Sequence, residues 1–219
     1  MSKARVAIVD DHPVVREGLK KVIDQQPDLA VCWDGETAAS AVQAIPAARP
    51  DILIVDLALA GMDGLELVKN LRALHPQLPV LVLSMHDENL FAERALRAGA
   101  RGYIMKHEAP ENLLLAIRRV LAGDIYLSRK MQTKTLDQIT GARAGGGGSP
   151  LDLLSDRELE VFRLLGQGQA TRQIAGQLNL SIKTVETYRA HIMEKLNLSS
   201  ATELVQRAFQ WVHEPKSGS

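Results

Sequence analysis

The sequence predicts an α/β fold, a doubly wound five-stranded parallel sheet, followed by a small all-α unit. Three observations predict it. From Arg5 to about Gly123, short apolar runs alternate with amphipathic stretches, the pattern of strand–helix–strand crossovers. The runs are apolar on both alternations, as strands buried on both faces must be. From Leu151 onward the only periodicity is helical.

The expected strands are Arg5–Val9, Leu29–Trp33, Ile52–Val55, Val80–Ser84 and Gly102–Ile104. Each is rich in Val, Ile or Leu and too short for a helix. Helices are expected near 14–25, 36–45, 64–74, 88–98 and 110–122. Gly99 and Gly123 stand where C-terminal caps belong. Pro110 suits the first helical position, with Glu111 in the first turn. Beyond 123 the periodicity fades, and the glycine run 145–148 has a flexible linker's composition. The expected organisation is therefore a first domain over 1–123, a linker over 124–150, a helical domain over 151–213 and a tail over 214–219.

In the helical part, Ser155/Glu158 and Ser200/Glu203 read as capping boxes. Thr171 and Ser181 read as N-caps. Four helices follow, near 156–166, 171–178, 182–196 and 200–212. Small Ala175 allows close helix approach, and Asn179 suits a left-handed turn between the second and third helices.

Composition narrows the function. A chain of 219 residues has room for one or two domains. Only 4% is aromatic, so aliphatic side chains must fill the core. The 26 basic and 26 acidic residues balance, which gives no global pull toward nucleic acid or anionic membrane. No apolar stretch approaches the roughly 20 residues that span a bilayer. The N-terminus lacks a signal-peptide core, so a cytosolic protein with no membrane role is expected. Cys32 is the only cysteine. It excludes an internal disulfide and, with Ala30, Val31 and Trp33 around it, is expected to be a buried thiol.

Asp10 and Asp11 follow the first run, Asp56 the third, Ser84 ends the fourth and Lys106 follows the fifth. In an open parallel sheet the carboxyl ends of the strands form the ligand crevice. Three carboxylates there repel one another unless a hard cation shares them, and all-oxygen ligands suit Mg²⁺. One carboxylate is then free to attack phosphorus in line, while Lys106 neutralises phosphoryl oxygens and Ser84 hydrogen-bonds another. Met85 and His86 are expected near the pocket mouth. His12 and His107 are ambiguous, and the histidines as a set show no metal-ligand spacing.

The segments DDHPVVREGL, VDLALAGMDGLEL, LSMHDE and GARGYIMKHE resemble the flavodoxin-like receiver domain of bacterial two-component response regulators. That resemblance implies Asp56 as phosphoacceptor, Asp11 as a direct Mg²⁺ ligand, and Asp10 as a ligand acting mainly through water. It further implies the Ala58 backbone carbonyl as a ligand, Ser84 as switch hydroxyl, Lys106 as phosphate partner and Tyr103 as an aromatic reporter that moves with Ser84. Where the family often carries proline before glycine, this chain has Ala60-Gly61, which implies an altered phosphoryl lifetime or loop dynamics.

TRQIAGQLNLSIKTVETYRAHIMEKL reads as helix, tight turn, helix. On a helical wheel Val185, Ile192 and Leu196 share one side, and Lys183, Thr187, Ala190 and Glu194 the other. Recognition helices contact DNA through their early turns, so Lys183, Thr184, Glu186, Thr187, Ala190 and His191 are the expected DNA contacts. Lys183 and Thr184 suit phosphates, and Glu186 can accept from a cytosine amino group. Arg189 lies toward the buried flank, where a contact to another helix competes with a phosphate. Between Leu151 and His213 seven basic residues meet seven acidic ones, so no basic footprint marks a DNA binder. An interaction domain with a solvated face fits the charge equally well.

LSDRELEVFRLLGQG, KTVETYR and KLNLSSATELVQRA resemble the LuxR-type helix-turn-helix of NarL/FixJ response regulators. The combined resemblance implies a non-enzymatic, phosphorylation-dependent transcription regulator. Its partners would be a cognate histidine kinase or small acyl phosphate, and duplex DNA with two half-sites read by a homodimer. The alternatives are a constitutive DNA binder with an inert receiver, and an aspartate-nucleophile phosphotransfer enzyme.

Overall fold

The computed structural model describes residues 3–59, 64–133, 150–178 and 180–213, with the backbone alone at 152. Ala60-Gly61, Asn179, the glycine run and the tail, on which expectations were placed, lie outside the described residues. The chain divides into two compact units, Met1–Ala144 and Gly145–Ser219.

In the first unit β1 (Ala4–Val9), β2 (Leu29–Gly35), β3 (Ile52–Val55), β4 (Val80–Ser84) and β5 (Gly102–Met105) form one parallel sheet in the order β2-β1-β3-β4-β5. The order reverses between β1 and β3, which makes their carboxyl ends the switch point. Helices α1 (Pro13–Asp24), α2 (Ala38–Ala48), α3 (Gly64–Leu74), α4 (Glu88–Ala98) and α5 (Pro110–Leu121) supply the crossovers. Val6, Ile8, Ile52, Ile54, Leu81 and Ile104 are buried against Leu19, Ile23, Leu113 and Ile117 of α1 and α5. Each such side chain contributes about 1.5–3 kcal/mol of burial.

The helix ends follow their residues. Gly99 adopts φ 117° and closes α4, and Gly123 (φ 92°) follows the Ala122 cap of α5. Pro110 opens α5 as expected. Helix α2 starts two residues later than expected because Thr37 and Ser40 form its capping box. It contains Pro46 and ends with Arg49 in the left-handed region at φ 43°, where the Arg5 guanidinium binds the Ala48 carbonyl at 2.8 Å. Cys32 is half-buried, not enclosed, because β2 is an edge strand.

Residues 124–133, expected in the linker, pack against the first unit. Tyr126 bridges Gly102 on the free edge of β5, and Leu127 and Met131 are buried.

In the second unit a 3₁₀ turn (Pro150–Leu153) precedes α6 (Asp156–Gly166), α7 (Thr171–Gln177), α8 (Ile182–Lys195) and α9 (Ala201–His213). Leu159, Phe162, Ile174, Val185, Ile192 and Leu204 form its buried interior. Gly166 lets α6 meet α9, since a Cβ there would lie 2.4 Å from the Ala208 carbonyl oxygen. The Ser155/Glu158 box forms, and Ser181 caps α8. Two expectations need correction. The cap of α7 is Ala170, whose amide is bound by Gln173 at 2.8 Å, so Thr171 is the first helical residue. At α9, Ser200 Oγ accepts from the Glu203 amide at 3.2 Å, but the Glu203 carboxylate reaches past Ser200 to the Ser199 amide and hydroxyl at 2.7 Å.

Candidate functional site

At the switch point the chain leaves β1 through Asp10, whose amide donates to the Gly35 carbonyl at 3.1 Å. It leaves β3 through Asp56, whose amide donates to the Val9 carbonyl at 2.9 Å. These ladder bonds fix both carboxylates at one end of the sheet. Asp10 and Asp56 are each 1% exposed. From β5, the Lys106 amide binds the Ser84 carbonyl at 2.9 Å. Its ammonium reaches back between the two acids, 2.7 Å from Asp10 Oδ2 and 2.7 Å from Asp56 Oδ2.

Burial pushes the Asp56 carboxyl above its ordinary range, Asp10 adds to that, and Lys106 with the Ala58 amide works against it. Burial acts to lower the Lys106 pKa, but Asp56 and Asp10 overcome it and hold the ammonium above its ordinary value. Asp56 Oδ1 is buried without a hydrogen-bond partner among the described residues. An oxygen in that state is costly unless an electrophile or cation comes to it.

Asp10, Asp11, His12 and Asp56 each place one ligand atom within 4.8 Å of the others. The three carboxylates, gathered at the sheet end with Lys106 as the one ammonium between Asp10 and Asp56, suit a hard divalent cation. His12 stands beside them: its Nδ1 lies 2.7 Å from Asp11 Oδ1 and 3.3 Å from Asp10 Oδ1. Its amide also donates to Asp10 Oδ1 at 2.9 Å. Arg16 is a further residue of the site that local sequence pattern does not mark. Buried at the foot of α1, Arg16 binds the Asp10 carbonyl at 2.6 Å and Glu36 at 2.7 Å, with Asp34 3.4 Å away. The i+6 offset from Asp10 was the only signal available.

Ser84 is fully buried at the end of β4 and accepts from the His86 amide at 3.1 Å. Tyr103, also fully buried, donates its hydroxyl to the His86 carbonyl at 2.8 Å. Burial drives its phenol pKa up. Met85 is exposed while His86 is buried with its ring 4.9 Å from Phe91.

In the second unit, α8 buries Val185 and Ile192 and exposes Lys183, Glu186, Thr187, Ala190 and His191. Thr184 is half-buried, its hydroxyl 2.7 Å from Ser181 Oγ. Thr187 donates its hydroxyl to the Lys183 carbonyl at 3.0 Å. Arg189 turns to Thr171 on α7 at 2.5 Å. The buried Glu158 of α6 holds the far end of α8, accepting from Lys195 at 2.7 Å, with His191 Nδ1 at 3.7 Å. Helix α8 is thus tied to α7 through Arg189 and to α6 through Lys195, with one face open.

A parallel sheet with clustered carboxylates and a lysine at its switch point, joined to a helix-turn-helix, defines a phosphorylation-responsive receiver linked to a DNA-binding domain. The family comparisons agree. Residues 6–118 match the response regulator receiver domain, and 152–208 match the bacterial regulatory proteins of the luxR family. The oxygen regulatory protein NreC of Staphylococcus carnosus is 37% identical over 210 residues, covering 94% of this chain and 97% of that protein. A structure of Salmonella enterica serovar Typhimurium RcsB, bound to promoter rprA in the presence of phosphomimetic BeF3-, is similar at TM-score 0.61. It shares 27% identity over 95% of this chain and 99% of that one. A LuxR-family response regulator from Aurantimonas is 34% identical, with TM-score 0.59, over 64% of this chain and 99% of its own. The chain belongs to the NarL/FixJ-type response regulators, and it is a DNA-binding regulator. Among the described residues no helix is long and apolar enough to cross a membrane.

Proposed function

We propose that Asp56 accepts a phosphoryl group from a partner histidine kinase or a small acyl phosphate, and that this promotes homodimerisation and binding of a two-half-site operator by α8. The supporting observation is the asymmetry of the Asp56 carboxylate. Oδ2 is held by Lys106 at 2.7 Å, and Oδ1 is buried and bare. The free oxygen attacks phosphorus, the donor's P–N or P–O bond breaks, and an acyl phosphate forms with the leaving group departing on the donor. Lys106 stays beside the carboxylate and neutralises the incoming charge. Asp10 and Asp11, with Asp56 and the Ala58 carbonyl, would hold Mg²⁺, which supplies charge neutralisation at the phosphoryl oxygens when bound. Ser84 turns its hydroxyl toward the new group, and Tyr103 follows through their shared partner, His86.

On α8, Lys183 and the amide end of the helix suit phosphates, Glu186 and His191 suit base edges, and Thr187 and Ala190 supply close contact. The expected setting is the cytosol. The test is the mass and oligomeric state of the full chain with Mg²⁺ and acetyl phosphate or beryllofluoride, beside Asp56→Asn, followed by duplex-DNA binding. A gain in dimer and in DNA affinity confined to the unmutated chain is the expected result. DNA binding indifferent to both treatments would establish a constitutive binder, and repeated turnover of a phosphorylated metabolite would establish a phosphotransfer enzyme.

A further inference from the structure

The hydrogen bonds that begin at Ser84 and Tyr103 continue past the pocket. Both residues hold the backbone of His86, Ser84 through its amide and Tyr103 through its carbonyl. Two residues on, Glu88 opens α4 behind the Asp87 cap. The Glu88 carboxylate turns inward: Oε1 accepts from the Ser128 hydroxyl, and Oε2 is buried with no hydrogen-bond partner among the described residues. Ser128 in turn stands before the helical residues 129–133, accepting from the Met131 amide at 3.2 Å on its side chain and from the Gln132 amide at 3.0 Å on its carbonyl. The stretch leading to it is laid along β5. Tyr126 donates its amide to the Arg101 carbonyl at 3.0 Å and accepts from the Tyr103 amide at 2.9 Å.

A half-satisfied buried carboxylate is costly to keep. Here the α4 N-terminus and one hydroxyl offset that cost, so the contact holds only while α4 and the 124–133 segment stay in register. We propose that Glu88 and Ser128 form a latch tying the first turn of α4 to the segment that leads toward the DNA-binding unit, and that the latch carries the state of the phosphorylation pocket to that segment. The inference rests on Asp56 being the phosphoacceptor. A phosphoryl oxygen that draws the Ser84 hydroxyl takes it from the His86 amide, the backbone over 86–88 shifts, and Glu88 moves against Ser128. The two residues are positioning residues and touch no reacting atom.

Hydrogen–deuterium exchange on the full chain with Mg²⁺, with and without beryllofluoride, tests this through peptides covering 84–92 and 124–133. In the unmutated chain both peptides change exchange rate on adding beryllofluoride. In Ser128→Ala the 124–133 amides exchange about fivefold faster or more in both states and no longer respond, while 84–92 still responds. Ser128→Thr restores the response, and Glu88→Ala behaves as Ser128→Ala does. A 124–133 response that survives in Ser128→Ala, even from a faster baseline, overturns the latch. So does an unmutated chain that responds only at 84–92. Response at neither peptide in the unmutated chain sinks the phosphoryl reading and the latch with it.

Discussion

Replacing Glu158 with alanine is expected to destabilise the DNA-binding unit by about 2 kcal/mol, and with glutamine by about 1 kcal/mol. The magnitude comes from two contacts. The carboxylate accepts from the Ser155 amide at 2.6 Å, completing a capping box of about 1 kcal/mol. It also accepts from Lys195 at 2.7 Å. A hydrogen bond to a charged group contributes about 1.5–3 kcal/mol when buried, but Lys195 is 39% exposed, so about 1 kcal/mol is retained. Glutamine keeps an acceptor for Ser155 and loses the charge. Of the chain's two tryptophans, Trp211 packs on Phe162 with ring centroids 5.6 Å apart. In a Trp33→Phe background its fluorescence reports the second unit during thermal unfolding of the full chain. Alanine should lower that transition by roughly 8–16 °C. Burial alone would raise the Glu158 pKa, but Lys195 and Ser155 outweigh it and hold it below its ordinary 4.5. The charge contribution is thus complete above that value and fades as pH falls through the lower folded value. Glutamine as costly as alanine, or a charge effect that persists in acid, would refute the reasoning.

Arg16→Leu leaves the Asp10 carbonyl and Glu36 without their shared cation and Asp34 with Lys20 alone, and should cost about 2 kcal/mol and slow Mg²⁺-dependent phosphorylation, followed by intact mass. Gly64→Ala puts a Cβ 2.4 Å from the Asp56 carbonyl oxygen and 2.6 Å from Leu57 Cα. It should slow Asp56 labelling by acetyl phosphate at least about tenfold, a barrier change of about 1.4 kcal/mol, and normal kinetics would show that the loop yields freely. Arg118 grips Asp28 through two bonds of 2.8 and 2.9 Å and holds its carboxyl down to about 2. The pair is half-exposed and worth under about 1 kcal/mol. Asp28→Asn should therefore lower urea stability slightly above pH about 4, with the difference vanishing toward pH about 2.

The strand-end chemistry was legible because a strand buried on both faces shows as an unbroken apolar run. The first polar residue after it then marks the sheet's end. Asp10, Asp56, Ser84 and Lys106 were found by that rule, and the capping chemistry at Ser155 and Ser181 by a similarly local one. Arg16 was not, because its partners Asp34 and Glu36 lie on the next strand and beyond, and only the β1–β2 pairing brings them together. His12 stood ambiguous, because its contacts with Asp10 and Asp11 depend on the backbone turn into α1. In the 124–133 segment Ser128's partner Glu88 is 40 residues away, beyond the reach of any local pattern. At α9 the residue types allowed a capping box, and the choice of Ser199 over Ser200 is a matter of backbone geometry that residue type does not encode.

The charge of the second unit bears on how such a regulator is controlled. Its formal balance of seven against seven understates how little charge is offered to DNA. Arg157 is paired with Glu160 at 2.9 Å, Lys195 with Glu158 at 2.7 Å, and Arg189 donates to Thr171. Phosphate neutralisation supplies most non-specific affinity, so a single copy of this unit gains little from it. Under the proposed pairing, the second copy raises affinity through effective concentration, by a factor on the order of 10²–10⁴ when geometry permits. A strongly basic domain would bind DNA whether or not its receiver was phosphorylated. A neutral one leaves binding conditional on pairing, and a receiver that governs pairing then governs occupancy.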